Sequence, residues 1–329
     1  MNATESIISI GIDVSKKTLA VARMMENRTA THESIENDAK SIAALMTSIS
    51  MSMKNTNVPI VIESTGDFHL LSSLMLREGG FAVKCINPVI SKELERRDVR
   101  GAKTDKIDAG RLAKLGADES ALSVFTATRK DILARKQVGT LAKIREVKQT
   151  LSSHLKRSEE TAQTLGFSMD LSHLKNAIAE LRAQEKELEG VLAEKIQPVC
   201  KQIAEETKGV SVRQMAILSV FFSGKTFTDR DQLVAFSGLD VRVRESGAWR
   251  GRARISKRGN PFLRRTLFLM GWGLAPHHPE YKKYYAEKKK TGAHHYTCII
   301  ACARKFLRST VYSKLYGRGA AAELSTVIL

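Results

Sequence analysis

Cysteine is scarce in this sequence, long apolar runs are missing, and acidic side chains thin out over the last third. The four cysteines, Cys85, Cys200, Cys298 and Cys302, form no Cys-x-x-Cys pair and are too few for a disulfide framework in a chain of 329 residues. The longest apolar stretches, Met215–Phe222 and Cys298–Ala303, fall far short of the ~18 residues that a membrane span needs. The opening MNATESIISIGIDVSKK lacks the basic start, long apolar centre and small-residue cleavage site of a signal peptide. These absences speak against membrane and secreted classes and fit a reducing cytoplasm. The rest is globular in composition, with 43% apolar residues. At roughly 150 residues per domain as a guide, its length suggests two or three units.

Charge is unevenly distributed. The chain carries 53 Lys+Arg against 35 Asp+Glu, a net +18. Residues 1–125 hold 16 basic and 16 acidic side chains, residues 126–200 hold 13 and 10, and residues 201–329 hold 24 and 9. A neutral N-terminal part joined to one of net +15 implies that the second grips a polyanion, for which nucleic acid is the default. A merely solvated surface is the plainer alternative, although solubility does not need so segregated an excess.

Ile7–Ile12 reads as a buried strand ending at Asp13, Thr18–Met24 as a second, and Thr29–Ile35 as a weaker third after the polar Glu26-Asn27-Arg28 turn. A helix near Ala39–Met53 follows, then a short strand, Val58–Ile62, ending at Glu63. A helix, a strand (Phe81–Ile86) and a helix started by Asn87-Pro88 come next. Hairpin strands followed by alternating helices and strands predict a mixed α/β sheet over residues 1–125. In residues 126–200, Val138, Leu141, Ile144, Val147, Leu151 and Leu155 recur at helical spacing. Beyond Gly166, so do Leu171, Leu174, Ile178, Leu181, Leu188 and Leu192, with Glu185 the one polar member. Two long helices forming a hairpin or coiled coil, for dimerisation or as a spacer arm, satisfy this pattern; so does plain packing against the protein's own core. From about Cys200 to the end, residues 201–329 read as short helices alternating with Gly- and Arg-rich loops.

Two features carry chemistry. Asp13 and Glu63 each stand at the C-terminal end of an apolar strand, the edge where ligands bind in open α/β sheets. A carboxylate there is costly unless it is exposed, paired or bound to a cation. In Lys103-Thr104-Asp105-Lys106-Ile107-Asp108-Ala109, Thr104 suits a helix N-cap and Asp105 and Asp108 share one helical face. Four such acids can converge on Mg²⁺, with Mn²⁺ able to stand in, and so serve chemistry at phosphorus. Singly, each has an ordinary explanation, since acids in a first helical turn are favoured by its dipole. The other feature is FSGLDVRVRESGAWRGRARISKRGNPFLRR, residues 236–265. From Arg242 to Arg265, nine basic residues (Arg242, Arg244, Arg250, Arg252, Arg254, Lys257, Arg258, Arg264 and Arg265) accompany one acid, Glu245. Glycines permit close approach to phosphate, and Asn260-Pro261 opens a helix whose N-terminus favours anions. Ser246 could attack phosphorus if its proton is removed, or serve as an ordinary turn residue in a DNA-gripping loop.

Weaker candidates are a metal cluster at His294, His295, Cys298 and Cys302, whose spacing fits no standard zinc pattern. Tyr281, Tyr284, Tyr285, Tyr312 and Tyr316 read as packing or stacking residues more readily than as nucleophiles.

GIDVSKKTL (11–19), ESTG (63–66), INP (86–88), KTDKIDA (103–109) and FSGL…ESG…RG…ISKRGNPFLRR (236–265) together resemble the DEDD-type transposases of insertion-sequence family 110. That family also holds Piv-type DNA invertases and bridge-RNA-guided serine recombinases, and the resemblance runs through the whole chain. It implies a RuvC-like, ribonuclease-H-type domain over 1–125, a coiled coil over 126–200 and a mostly helical transposase domain over 201–329. It maps the four catalytic acids onto Asp13, Glu63, Asp105 and Asp108, holding Mg²⁺, and the nucleophile onto Ser246, which would form a 5′-phosphoserine link to DNA. The implied partners are donor and target double-stranded DNA, a structured non-coding guide RNA, and further copies of the chain as a homodimer or homotetramer in a bacterial cytoplasm. The acids and Ser246 would then meet between protomers. One departure stands out: relatives carry Pro-Gly-(Ile/Val)-Gly at the opening of the transposase domain, where this chain has Thr207-Lys208-Gly209-Val210-Ser211. The rival expectations are a RuvC-like, structure-selective nuclease without a covalent intermediate, and a basic architectural protein with vestigial acids.

Overall fold

The computed structural model describes residues 6–52, 58–64, 66–88, 104–118, 122, 124–242, 245–246, 249–250, 254–257 and 259–317, with 242, 245–246 and 249–250 described by backbone alone. The helix expected after Pro88 lies outside these residues, as do Lys103, Arg244, Arg252 and Arg258. The chain divides into two compact units, Met1–Arg129 and Lys130–Leu329.

The first unit is built on a five-stranded sheet of β1 (Ile7–Val14), β2 (Thr18–Met25), β3 (Ala30–Glu36), β4 (Pro59–Glu63) and β5 (Ala82–Ile86), in the order β3-β2-β1-β4-β5. The first three strands are antiparallel, as their short turns require, while β4 lies parallel to β1 and to β5. Parallel neighbours need crossovers. α1 (Ala39–Ser52) connects β3 to β4, and α2 (His69–Glu78) connects β4 to β5. The alternation of β1 divides its side chains between two faces. On one face, Ile10, Ile12, Leu19, Val21, Ile60 and Ile62 join Ile42, Leu45 and Ile49 of α1 and Leu76 of α2 in an aliphatic core. Each fully buried aliphatic side chain is worth roughly 1.5–3 kcal/mol. The other face is lined by small residues where α3 (Asp105–Asp118) crosses it, with Ala20 and Ala22 against Ala109 and Ala113. The β5 edge is covered by Val124, bridged to Lys84, and by the Phe125 N–H, which donates to the Val83 carbonyl at 2.8 Å. This mixed sheet with helices on both faces is compatible with a ribonuclease-H-like domain.

The second unit begins with two long helices, α4 (Arg129–Leu165) and α5 (Ser172–Glu194). They run antiparallel, since Arg145 meets Glu185 and Glu189, Lys148 meets Glu185, and Lys175 meets Glu159. Glu185, the polar member of the apolar series, is thus an ion-pair residue. Burial opposes its ionisation, but Lys148 and Arg145 overcome this and hold its carboxyl below the ordinary range. The two helices form an antiparallel hairpin, and the half nearer the core packs on the unit's own interior. Nearer the core, Val138, Leu141 and Leu192 pack with Ala216 and Ile217 of α7 (Val212–Phe222). At the far end, Leu165, Phe167 and Met169 are exposed.

The remaining helices are α6 (Pro198–Glu206), α8 (Arg230–Phe236), α9 (Pro261–His277), α10 (Pro279–Lys290), α11 (His295–Phe306), a π turn (Leu307–Val311) and α12 (Tyr312–Tyr316). α6, α7, α9, α11 and the π turn close a core that includes Ile203, Met215, Leu218, Leu263, Leu267, Met270, Leu274, Phe306 and Leu307. No helix among the described residues is long and apolar enough to cross a membrane.

Candidate active site

The acids of the first unit are brought together by an unusually close contact between helix and sheet. A Cβ on Gly11 would stand 2.1 Å from the Ala109 carbonyl oxygen and 2.3 Å from the Ala113 nitrogen, so α3 rests directly on the β1 backbone. Ser9, two residues earlier on the same face, donates from its hydroxyl to the Ala113 carbonyl at 2.5 Å. Asp13, two residues later, therefore faces the start of α3. Glu63 follows Val61 on the same face of β4, and Val61 packs with Leu112 and Leu115 of α3. Asp108 and Leu112 are one turn apart, so the helix lays its first-turn acids over the C-terminal ends of β1 and β4. Thr104 caps this helix, accepting from the Ile107 N–H at 3.3 Å.

The electrostatics follow from that placement. Burial, then the charges of Asp108, Asp105 and Glu63, push the Asp13 carboxyl up from 3.8 to about 6, against the lowering effect of the Val14 N–H, which donates to it at 3.0 Å. Arg111 donates to Asp108 at 2.7 Å and balances its charge. A donor set made wholly of carboxylates suits a hard divalent cation, whose charge would relieve the repulsion around Asp13. Among the described residues no three side chains stand at coordination spacing, so an ion would have to draw the carboxylates inward. Sequence reasoning overlooked Gly11 and Arg111. A glycine inside a buried strand marks close backbone approach, and an arginine three residues after an acid shares its helical face.

In the second unit, the stretch expected to be a loop forms short antiparallel strands. β6 (Val241–Arg242) pairs with β9 (Arg254–Ile255), and β7 (Glu245–Ser246) with β8 (Trp249–Arg250). Ser246 thus lies opposite Trp249. The signal was a two-residue period, with Arg250, Arg252 and Arg254 alternating with Trp249, Gly251, Ala253 and Ile255. The base of the hairpin is tied to the end of α8. The Ser256 N–H donates to the Asp240 carbonyl at 2.8 Å and the Lys257 N–H to that of Gly238 at 3.2 Å, with Lys257 at a φ of 54°. Arg254, Lys257 and Arg265 are exposed, whereas Arg264 is half-buried and donates to the Gly259 carbonyl at 2.8 Å. Asn260 caps α9 as expected, accepting from Phe262 and Leu263.

The departing turn also has a local logic. Gly209, at a φ of 95°, lies against the backbone of Gly273, and Ser211 closes a capping box with Gln214 at the start of α7. The proposed metal cluster dissolves into ordinary contacts. His295 Nδ1 shares a 2.7 Å hydrogen bond with the Tyr285 hydroxyl, His294 caps α11, and Cys298 and Cys302 are buried. Burial pushes the Cys302 thiol up to about 11, which suits an inert core cysteine. The tyrosines pack: Tyr281 is buried in the core, and Tyr312 donates to the Thr228 carbonyl at 2.9 Å.

A family model for DEDD transposases of the IS110 type matches residues 10–159, which include all four acids. A second, described as "Transposase IS116/IS110/IS902 family", matches residues 201–286, which include the arginine-rich hairpin. No curated protein matches the chain. The two models between them take up more than two thirds of the sequence, and the chain belongs to the IS110 family of transposases.

Proposed function

We propose that this transposase cuts and rejoins DNA by transesterification, using Asp13, Glu63, Asp105 and Asp108 to hold Mg²⁺ (or Mn²⁺) and Ser246 as the nucleophile. The observation that carries this reading is the seat of α3 on Gly11, which lays Asp105 and Asp108 over the ends of the parallel strands that finish at Asp13 and Glu63. When bound, a divalent cation supplies positive charge that stabilises the crowded phosphate oxygens and the departing oxygen. The Ser246 hydroxyl would form the new bond to phosphorus, giving up its proton to a carboxylate or water, while the P–O3′ bond breaks and the strand leaves with a 3′-hydroxyl. One phosphoester bond replaces another, so resealing needs no ATP.

The division of labour follows the charge. Residues 1–125 act as a RuvC-like acidic centre, residues 126–200 as an arm that pairs protomers, and residues 201–329, with net +15, as the part that holds backbones and carries the nucleophile. A structured guide RNA, expected from the family alone, would carry the sequence readout by base pairing while the protein holds phosphates. The reading requires the acids and Ser246 to meet, within a homodimer or homotetramer.

The test uses labelled DNA of the element's own junction, Mg²⁺ and the RNA transcribed beside the gene. Denaturing gels should show label retained on the protein for the wild type and lost for Ser246→Ala and Asp105→Asn. Cleavage without an adduct, persisting in Ser246→Ala, would instead identify a nuclease. Leaving out the RNA shows whether the reaction is guided.

A further inference from the structure

Beyond the stretch matched at residues 201–286, α11 and the π turn Leu307–Val311 form a wall of a second basic feature. A cleft of about 330 Å³ is lined by Arg230, Tyr284, Arg304, Lys305, Arg308 and Ser309. Two of its four cations are matched by acids: Lys305 pairs with Glu280 at 2.7 Å and Arg308 with Asp231 at 3.1 Å. Arg230 and Arg304 have no acidic partner among the described residues, so the cleft keeps two positive charges in excess.

Three details make this more than a charged surface. The Arg304 Nε is shielded from water and has no hydrogen-bond partner among the described residues. A buried donor without a partner is costly, which sets Arg304 apart from the freely solvated arginines of the surface. Lys305 is fixed twice, by Glu280 and by the Tyr284 ring, whose centroid lies 4.8 Å from its Nζ. Lastly, π turns are rare and concentrate at functional sites, and this one carries Arg308 and Ser309 into the cleft wall. Guanidinium forks and a held ammonium around two excess charges match the oxygens of a phosphate.

We infer that this cleft is a phosphate-binding site that takes a backbone phosphate of the nucleic acid the transposase holds. The choice of nucleic acid as the source rests on the transposase reading; the site itself rests on the cleft.

Two measurements on the full chain separate these. In the first, thermal unfolding is followed against sodium tripolyphosphate. The wild type and a control, Lys282→Gln/Lys283→Gln on the exposed face of α10, should show the same rise in Tm. Arg230→Gln/Arg304→Gln should lose at least half of it, and equal rises in all three would overturn the site. Arg230 is exposed, so Arg230→Gln alone keeps the test decisive if the double variant does not fold. It should lose a smaller part of the rise, and an unchanged rise counts against the site. In the second, binding of duplex DNA and of single-stranded RNA is measured over a salt series. Loss of one phosphate contact lowers the slope of log K against log salt by about 0.9 for duplex DNA or about 0.7 for a single strand. The polymer that shows the drop is the source; a drop in neither overturns the nucleic-acid occupant. If the wild type binds neither polymer, the transposase reading fails, while the tripolyphosphate series still judges the cleft.

Discussion

The two units treat charge in opposite ways. In the first, where basic and acidic side chains balance, four acids are packed into mutual repulsion at one end of a sheet. In the second, where cations outnumber acids 24 to 9 over residues 201–329, Arg254 and Lys257 at the hairpin and Arg265 in the first turns of α9 stand in solvent, where water and salt screen them. The first unit concentrates unfavourable charge and depends on packing to hold it; the second spreads charge and depends on its number. The placement of the charged groups is therefore critical in one and tolerant in the other.

The sharpest way to break this contrast is to widen the helix–sheet contact. Gly11→Ala forces a methyl group into the α3 backbone and should destabilise the first unit by roughly 3 kcal/mol or more, seen as a large fall in Tm. If the protein tolerates it, the contact does not hold the acids. Next in size is Arg145→Ala, which leaves Glu185 and Glu189 without their shared partner between the long helices. It should cost about 2–3 kcal/mol in denaturant unfolding.

A smaller effect, of opposite sign, is expected within the acid cluster. Ionised Asp13 disfavours the folded state, because its carboxyl is raised from 3.8 to about 6. The penalty builds as pH rises from about 4 to about 6, is complete above that, and vanishes in acid. Asp13→Asn should therefore stabilise the protein by about 1 kcal/mol at neutral pH, after allowance for solvent screening of a half-exposed group, with no gain near pH 4. The same variant should be inactive in strand joining, a trade of stability against function. The smallest effect tests the tolerant unit. Gly139 lies within α4, and the place a methyl group would take there is open space, so Gly139→Ala should add about 0.5–1 kcal/mol. The same substitution would then have opposite signs at Gly11 and Gly139.

The strands and the four acids were legible because short-range patterns carry them. Alternation marks β1 and β2, an apolar run ends at Glu63, and the Thr104 cap precedes two acids on one helical face. What could not be read was how far apart these pieces would settle. The contact of Gly11 with Ala109 joins residues nearly a hundred positions apart, and no local period records it. The hairpin was missed for a different reason. Its described strands are only two residues long, and the glycines among the arginines gave the stretch the composition of a loop. The long helices showed their period clearly, but the point where core packing gives way to an exposed end depends on α7, which periodicity within α4 and α5 does not encode.

The seat of α3 on Gly11 also bears on how this protein can vary. Where a helix touches a sheet through side chains, the gap can be retuned by exchanging one side chain for another. Here main chain meets main chain, and no adjustable part lies between. The spacing of Asp13 from the first turn of α3 is therefore inherited from peptide dimensions rather than from a choice of residues. Surrounding loops can lengthen, shorten or change sequence while that gauge stays the same.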